Sequence, residues 1–89
     1  MNMQTRIREK LEQAFSPEEL EVVDESEQHR GHAGWREGGE THFRVRMIAQ
    51  AFNGESRVAR QRAVNRCLAQ ELATSVHALA MELRAPDEV

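Results

Sequence analysis

The chain has 89 residues, of which 39% are apolar and 4% aromatic, and it carries a formal net charge of −3. That size fits one small domain, residues 1–89, whose core must be aliphatic, and the apolar share is too high for a disordered chain. No stretch approaches the roughly 20 apolar residues of a membrane span, so no membrane contact is expected, and the acidic total argues against a generic nucleic-acid coat.

Ile7, Leu11, Ala14 and Phe15 recur at helical spacing, with Met3 one turn earlier, and predict an amphipathic first helix ending near Phe15. In Ser16-Pro17-Glu18-Glu19, Ser16 stands as an N-cap, Pro17 at the first position and Glu19 three residues on. That predicts a short helical turn or a tight corner. Leu20 to Asp24 reads as a strand.

The stretch HRGHAGWREGGETHF, residues 29–43, then holds three of the four histidines, four of the five glycines and the only tryptophan. It reads as a long loop. Thr41 to Ala49 alternates, with Phe43, Val45 and Met47 on one face and His42, Arg44 and Arg46 on the other. The two strands should form an antiparallel hairpin around that loop.

Asn53-Gly54 predicts a turn, and Ser56 an N-cap for the next helix. Val58, Ala59, Ala63, Val64, Cys67, Leu68 and Leu72 form the apolar stripe of that helix. Arg57, Arg60, Arg62 and Arg66 lie around the rest, and Ala73-Thr74-Ser75 closes it. Val76 to Leu83 reads as a third strand, followed by Pro86 and an acidic tail. The order is helix, strand, strand, helix, strand. It predicts an α+β layer structure with a right-handed crossover through the second helix.

Charge is unevenly placed. Residues 1–27 carry eight acids and three bases, net −5; residues 28–66 carry eight bases and three acids, net +5; residues 67–89 carry four acids and one base, net −3. The basic middle is either a solvated face or a docking surface.

The histidines are the residues best suited to chemistry. His29 and His32 lie three apart in the loop, His42 opens the second strand and His77 the third. Near neutral pH a large fraction of imidazole is uncharged and able to bind a metal. A structural zinc site wants four ligands, usually including cysteines, yet the single cysteine, Cys67, faces the apolar side of a helix. An incomplete site finished by a partner fits the count better. The plainer reading of His77 is a strand-end histidine bonded to backbone, on the same face as Leu79, Met81 and Leu83. Trp35 is either a loop side chain folded onto the sheet edge or an exposed anchor for a partner.

One cysteine also excludes an internal disulfide, and with no apolar secretory run at the N-terminus a cytoplasmic location is expected. A Cys67–His77 dyad, or a triad of Ser26, Asp24 and a loop histidine, has no local motif behind it, so the chain is not expected to be an enzyme. Nucleic-acid binding is the stronger alternative. ESRVARQRAVNR offers Arg57, Arg60, Arg62 and Arg66 to phosphates, although no strand carries an aromatic platform for bases.

Several ordered runs carry a resemblance. Glu40-Thr41-His42-Phe43, Phe52-Asn53-Gly54, the segment Arg57 to Asn65, Leu68 to Leu72 and Val76-His77-Ala78-Leu79 are similar to the BolA family. The resemblance extends from the first helix to Pro86. It implies a fold like class II KH domains, in α-β-β-α-β order, with a three-stranded mixed sheet and helices packed on one face. It also implies a partner of monothiol glutaredoxins in iron–sulfur cluster assembly, trafficking or iron sensing, or else a DNA-binding transcriptional regulator.

The family's cluster ligands are the histidine of the last strand, which falls on His77, and a His or Cys of the loop between the first two strands. His32 is the choice for the second, with His29 and His42 as rivals. The implied cofactor is a [2Fe–2S] cluster shared with a glutaredoxin and glutathione, with none bound tightly by this chain alone. Trp35, Arg44 and Arg46 are then expected to meet the partner, and the apo form is expected to be a monomer. Many members carry histidine where this chain has Gln61, which weakens any role drawn for that helix position.

Overall fold

The structure, a computed structural model, describes residues 2–25 and 41–89. Helix α1 (Met3–Phe15) opens on Asn2, whose side chain accepts the Thr5 N–H at 2.8 Å and so satisfies one of the unpaired donors of the first turn. Its inward face buries Ile7 and Leu11. The helix ends at Ser16, which adopts a left-handed conformation (φ 45°) and donates its N–H to the Glu12 carbonyl. Ser16 therefore closes α1 and opens no further helical turn. The corner is the alternative adopted: Glu18 N–H already bonds to Ile48 C=O at 2.7 Å.

Strand β1 (Glu19–Asp24) pairs antiparallel with β2 (His42–Ile48), with Leu20 opposite Met47 and Val22 opposite Val45. β2 pairs in parallel with β3 (Ala78–Arg84), with Val45 opposite Met81. The sheet is mixed, in the order β1-β2-β3. Phe43, Val45 and Met47 of the central strand are buried, as their alternation predicts. Leu79, Met81 and Leu83 pack against that core from β3.

Between β2 and β3 the chain differs from the sequence reading at two points. Phe52 enters the core from a 3-10 turn, Gln50–Phe52, that the spacing did not reveal. Asn53-Gly54 then turns the chain with Gly54 at φ +75°, a conformation glycine adopts at no steric cost. The long second helix is in fact two, α2 (Arg57–Cys67) and α3 (Ala69–Thr74), jointed at Leu68. Ser56 caps α2 as expected, its Oγ accepting the Ala59 N–H at 3.1 Å. At the joint Leu68 is buried, its N–H bonds to Val64 C=O and its C=O accepts the Leu72 N–H, so helical bonding continues across it.

The joint delivers Glu71 to α1. Its carboxylate is fully buried and lies 2.9 Å from Arg6 Nε and 2.8 Å from Lys10 Nζ. Burial pushes this carboxyl up. The Lys10 hydrogen bond, a backbone bond and the charges of Lys10 and Arg6 outweigh that and hold it below its ordinary value. Among the described residues no helix is long and apolar enough to cross a membrane.

Candidate functional site

β2 and β3 start side by side, and the chain fixes that start with backbone bonds. The Thr41 carbonyl accepts N–H groups from both His77, at 2.7 Å, and Ala78, at 3.1 Å. This brings the rings of His42 and His77 to 5.4 Å between centroids, inclined at 55°. The two imidazoles have different environments. His42 is only 5% exposed, and its Nδ1 lies 2.9 Å from the buried hydroxyl of Thr41. His77 is exposed.

Both positions correct a simple parity argument. His42 shares its face of the strand with Arg44 and Arg46 but is buried where they are exposed. His77 has the parity of Leu79 and Met81 yet meets solvent. β3 begins only at Ala78, because Val76 N–H is spent on the Glu71 carbonyl at the end of α3. Thr41 was not singled out from the sequence. The signal was there, a hydroxyl beside a histidine at a strand entrance, but burial decides its role and burial is a tertiary property.

Alongside the pair lies a shallow cavity of about 270 Å³ lined by Glu25, His42, Arg44, Ala78 and Ala80 among others. Arg44 Nε donates to Glu25 Oε2 at 2.9 Å. Arg46 lies 3.3 Å from Glu82, which also meets Arg84 at 3.0 Å. The strand arginines are thus exposed and ion-paired on the open face of the sheet. Exposed pairs of this kind exchange partners at little cost. His29, His32 and Trp35 lie outside the described residues, as does Ser26.

The arginines of α2 divide. Arg57, Arg62 and Arg66 are exposed, with no ion pair among the described residues. Arg60 corrects the expectation of a phosphate contact, since it is only 9% exposed. Its guanidinium holds Glu88 through two bonds, of 2.6 and 3.1 Å, and donates to Leu83 C=O at 3.2 Å, with the Phe52 ring 5.8 Å away. The Arg60 bond, with a second from Ala85 N–H, lowers the Glu88 carboxyl.

Cys67 is half-buried and donates to Lys10 C=O at 3.6 Å. Burial pushes its thiol up, the opposite of what a nucleophile needs. Among the described residues, no group of three His, Cys, Asp or Glu side chains is placed to hold a metal ion.

A mixed three-stranded sheet backed by helices, with an exposed imidazole where two parallel strands begin, defines a small α+β domain. Residues 11–88 match the family model described as BolA-like protein, and the chain belongs to that family. It is 52% identical, over 99% of its length and 96% of the relative's, to an uncharacterized protein in the cobS 5′ region of a Sinorhizobium species. It is 47% identical to the DNA-binding transcriptional regulator BolA of Escherichia coli, over 91% of this chain and 73% of that one.

SufE-like protein 1 of Arabidopsis thaliana is 48% identical over 94% of the chain, but the chain spans only 24% of that protein. The solved BolA domain of SufE1 from the same plant superposes with a TM-score of 0.88 at 46% identity, covering 97% of this chain and 94% of that one.

Proposed function

We propose that the chain partners a monothiol glutaredoxin and shares a [2Fe–2S] cluster with it, in cluster assembly, trafficking or iron-dependent regulation. The observation that carries this reading is His77: an exposed imidazole whose backbone is locked to the start of β2. A ligand held in advance loses little freedom on binding. A [2Fe–2S] cluster takes four ligands, and histidine is tolerated in place of cysteine.

His77 and one loop histidine, His32 before His29, supply two ligands. A glutaredoxin cysteine and the glutathione thiol supply the others. His42 is the remaining rival, but its burial and its bond to Thr41 suit it to bracing His77 from behind. Arg44 and Arg46 trade Glu25 and Glu82 for carboxylates of glutathione or the partner, and Trp35 anchors the contact. The cluster is cargo for this domain, not a resident group, so the isolated chain holds it weakly.

Mixing the chain with a monothiol glutaredoxin, glutathione and iron–sulfide should give a heterodimer whose visible absorption differs from that of the glutaredoxin alone. His77→Ala should abolish the difference, and an unchanged spectrum removes the assignment. His32→Ala and His29→Ala then identify the second ligand.

A second reading has its own support. A relative 47% identical is named a DNA-binding regulator, and Arg62 and Arg66, one turn apart on α2, are exposed with no ion pair among the described residues, Arg57 lying on another side of the helix. On that reading Arg62 and Arg66 lie on phosphates. Arg60 takes no part in it.

A further inference from the structure

The sheet order leaves β3 as an edge strand. In a parallel pair, alternate residues turn both N–H and C=O toward the neighbouring strand. Ala78 N–H bonds to Thr41 C=O, and Arg84 C=O accepts from Ala49 N–H. Residues 78, 80, 82 and 84 therefore serve β2, while Leu79, Met81 and Leu83 turn their backbone groups to the open side. That outward row is stopped at both ends. Leu83 C=O is held by Arg60 Nη1 at 3.2 Å, and His77 N–H is held by Thr41.

Between the stops, the N–H and C=O of Leu79 and Met81 have no bond among the described residues. A groove of about 470 Å³ runs beside Met81 to Arg84 and is walled by Arg57, Arg60 and Gln61 of α2. β3 contains no proline or glycine to blunt the edge, and such an edge is a template for another strand.

We propose that this edge receives β3 of a second copy of the chain, antiparallel, about a two-fold axis at Ala80. Leu79 then stands opposite Met81 of the second copy, and Met81 opposite its Leu79. The four resulting bonds use every free group between the stops and none that Arg60 or Thr41 already holds. Neighbouring registers fail. Moving the axis to Met81 sets Leu79 N–H against Leu83 C=O, which Arg60 occupies. Moving it to Leu79 sets Met81 C=O against His77 N–H, which Thr41 occupies.

Side chains agree with the same register. On the open face Ala80 meets Ala80 at the axis and Glu82 meets Ala78, so no like charges are directly opposed. The pairing departs from the monomer expected of the sequence. It brings His77 of each copy opposite Leu83 of the other. Self-pairing and any outside ligand of His77 therefore compete, but the pairing itself does not depend on what that ligand is.

The test uses Ala80, whose side chain points to solvent and away from the core. Ala80→Lys and Ala80→Glu each oppose like charges at the axis, and mixing the two opposes unlike ones. In sedimentation equilibrium of the full chain, average mass should rise with concentration toward twice the monomer. Each variant alone should associate roughly tenfold more weakly or less, and their equimolar mixture should regain the association. Far-UV circular dichroism confirms that the variants fold. A wild-type chain that stays monomeric at the highest attainable concentration overturns the proposal. So does a mixture that associates no better than its components, or self-association that Ala80→Lys leaves intact.

Discussion

His42 and His77 stand 5.4 Å apart on adjacent strands, one buried against Thr41 and the other open to solvent. The contrast separates a scaffold role from a ligand role. Removing His42 leaves the buried Thr41 hydroxyl without its ring partner and opens a void. His42→Ala should therefore cost about 2–3 kcal/mol of stability. His77→Ala, at an exposed position, should stay within about 0.5 kcal/mol. Urea denaturation of the two variants measures both. Equal small losses would return His42 to the list of ligands.

Arg60 and Arg62 are two residues apart on α2 and belong to different classes. Arg60 ties the C-terminal turn, Pro86–Glu88, to β3, and Arg62 faces solvent. Arg60→Ala should lower the thermal midpoint, whereas Arg62→Ala should leave it unchanged. If DNA binds through Arg62 and Arg66, they contribute about −2 to the slope of log K against log salt. Arg62→Ala with Arg66→Ala should reduce that slope by about two. A flat salt response removes the DNA reading and leaves the stability contrast untouched.

Periodicity made most of this fold legible. The alternation of Phe43, Val45 and Met47 located the central strand, and the spacing of Ile7 and Leu11 located α1, because each element buries one face. Parity failed at strand ends. It says which way a side chain points within a ladder, not whether the ladder has begun, so it does not give the exposures of His42 and His77. Composition failed at Arg60 for a related reason. An arginine among arginines reads as surface until a distant carboxylate, here Glu88, is folded onto it. Glu71 escaped notice likewise, since its partners Arg6 and Lys10 are more than sixty residues away in the chain.

Ser16 is the only non-glycine residue with positive φ among the described residues. A side chain in the left-handed region at a helix C-terminus is strained, and glycine is the usual occupant. Ser16→Gly should therefore stabilise the fold by about 0.5–1 kcal/mol, less the extra freedom glycine gives the unfolded chain. The thermal midpoint should rise, and a fall would mean that the serine hydroxyl contributes more than the backbone strain takes away.

Glu71 links α3 to α1 through Arg6 and Lys10, and its carboxyl is held below the ordinary value in the folded state. A lowered folded value means that the unfolded chain binds a proton first as pH falls. The contribution is complete above the unfolded carboxyl value, about 4.3, and drains away below it as pH passes down through the folded value. Glu71→Gln keeps the shape and loses the charge, so near neutral pH it should cost roughly 2 kcal/mol, the worth of hydrogen bonds to a charged group. The gap between wild type and variant should close as pH falls below that unfolded value. Arg6→Ala should cost less, since Arg6 is 42% exposed and Lys10 still serves the carboxylate. Urea midpoints of the three proteins measured from neutral pH into the acid range give the curve, and a gap that stays constant with pH would show that the Glu71 charge is not what joins the helices.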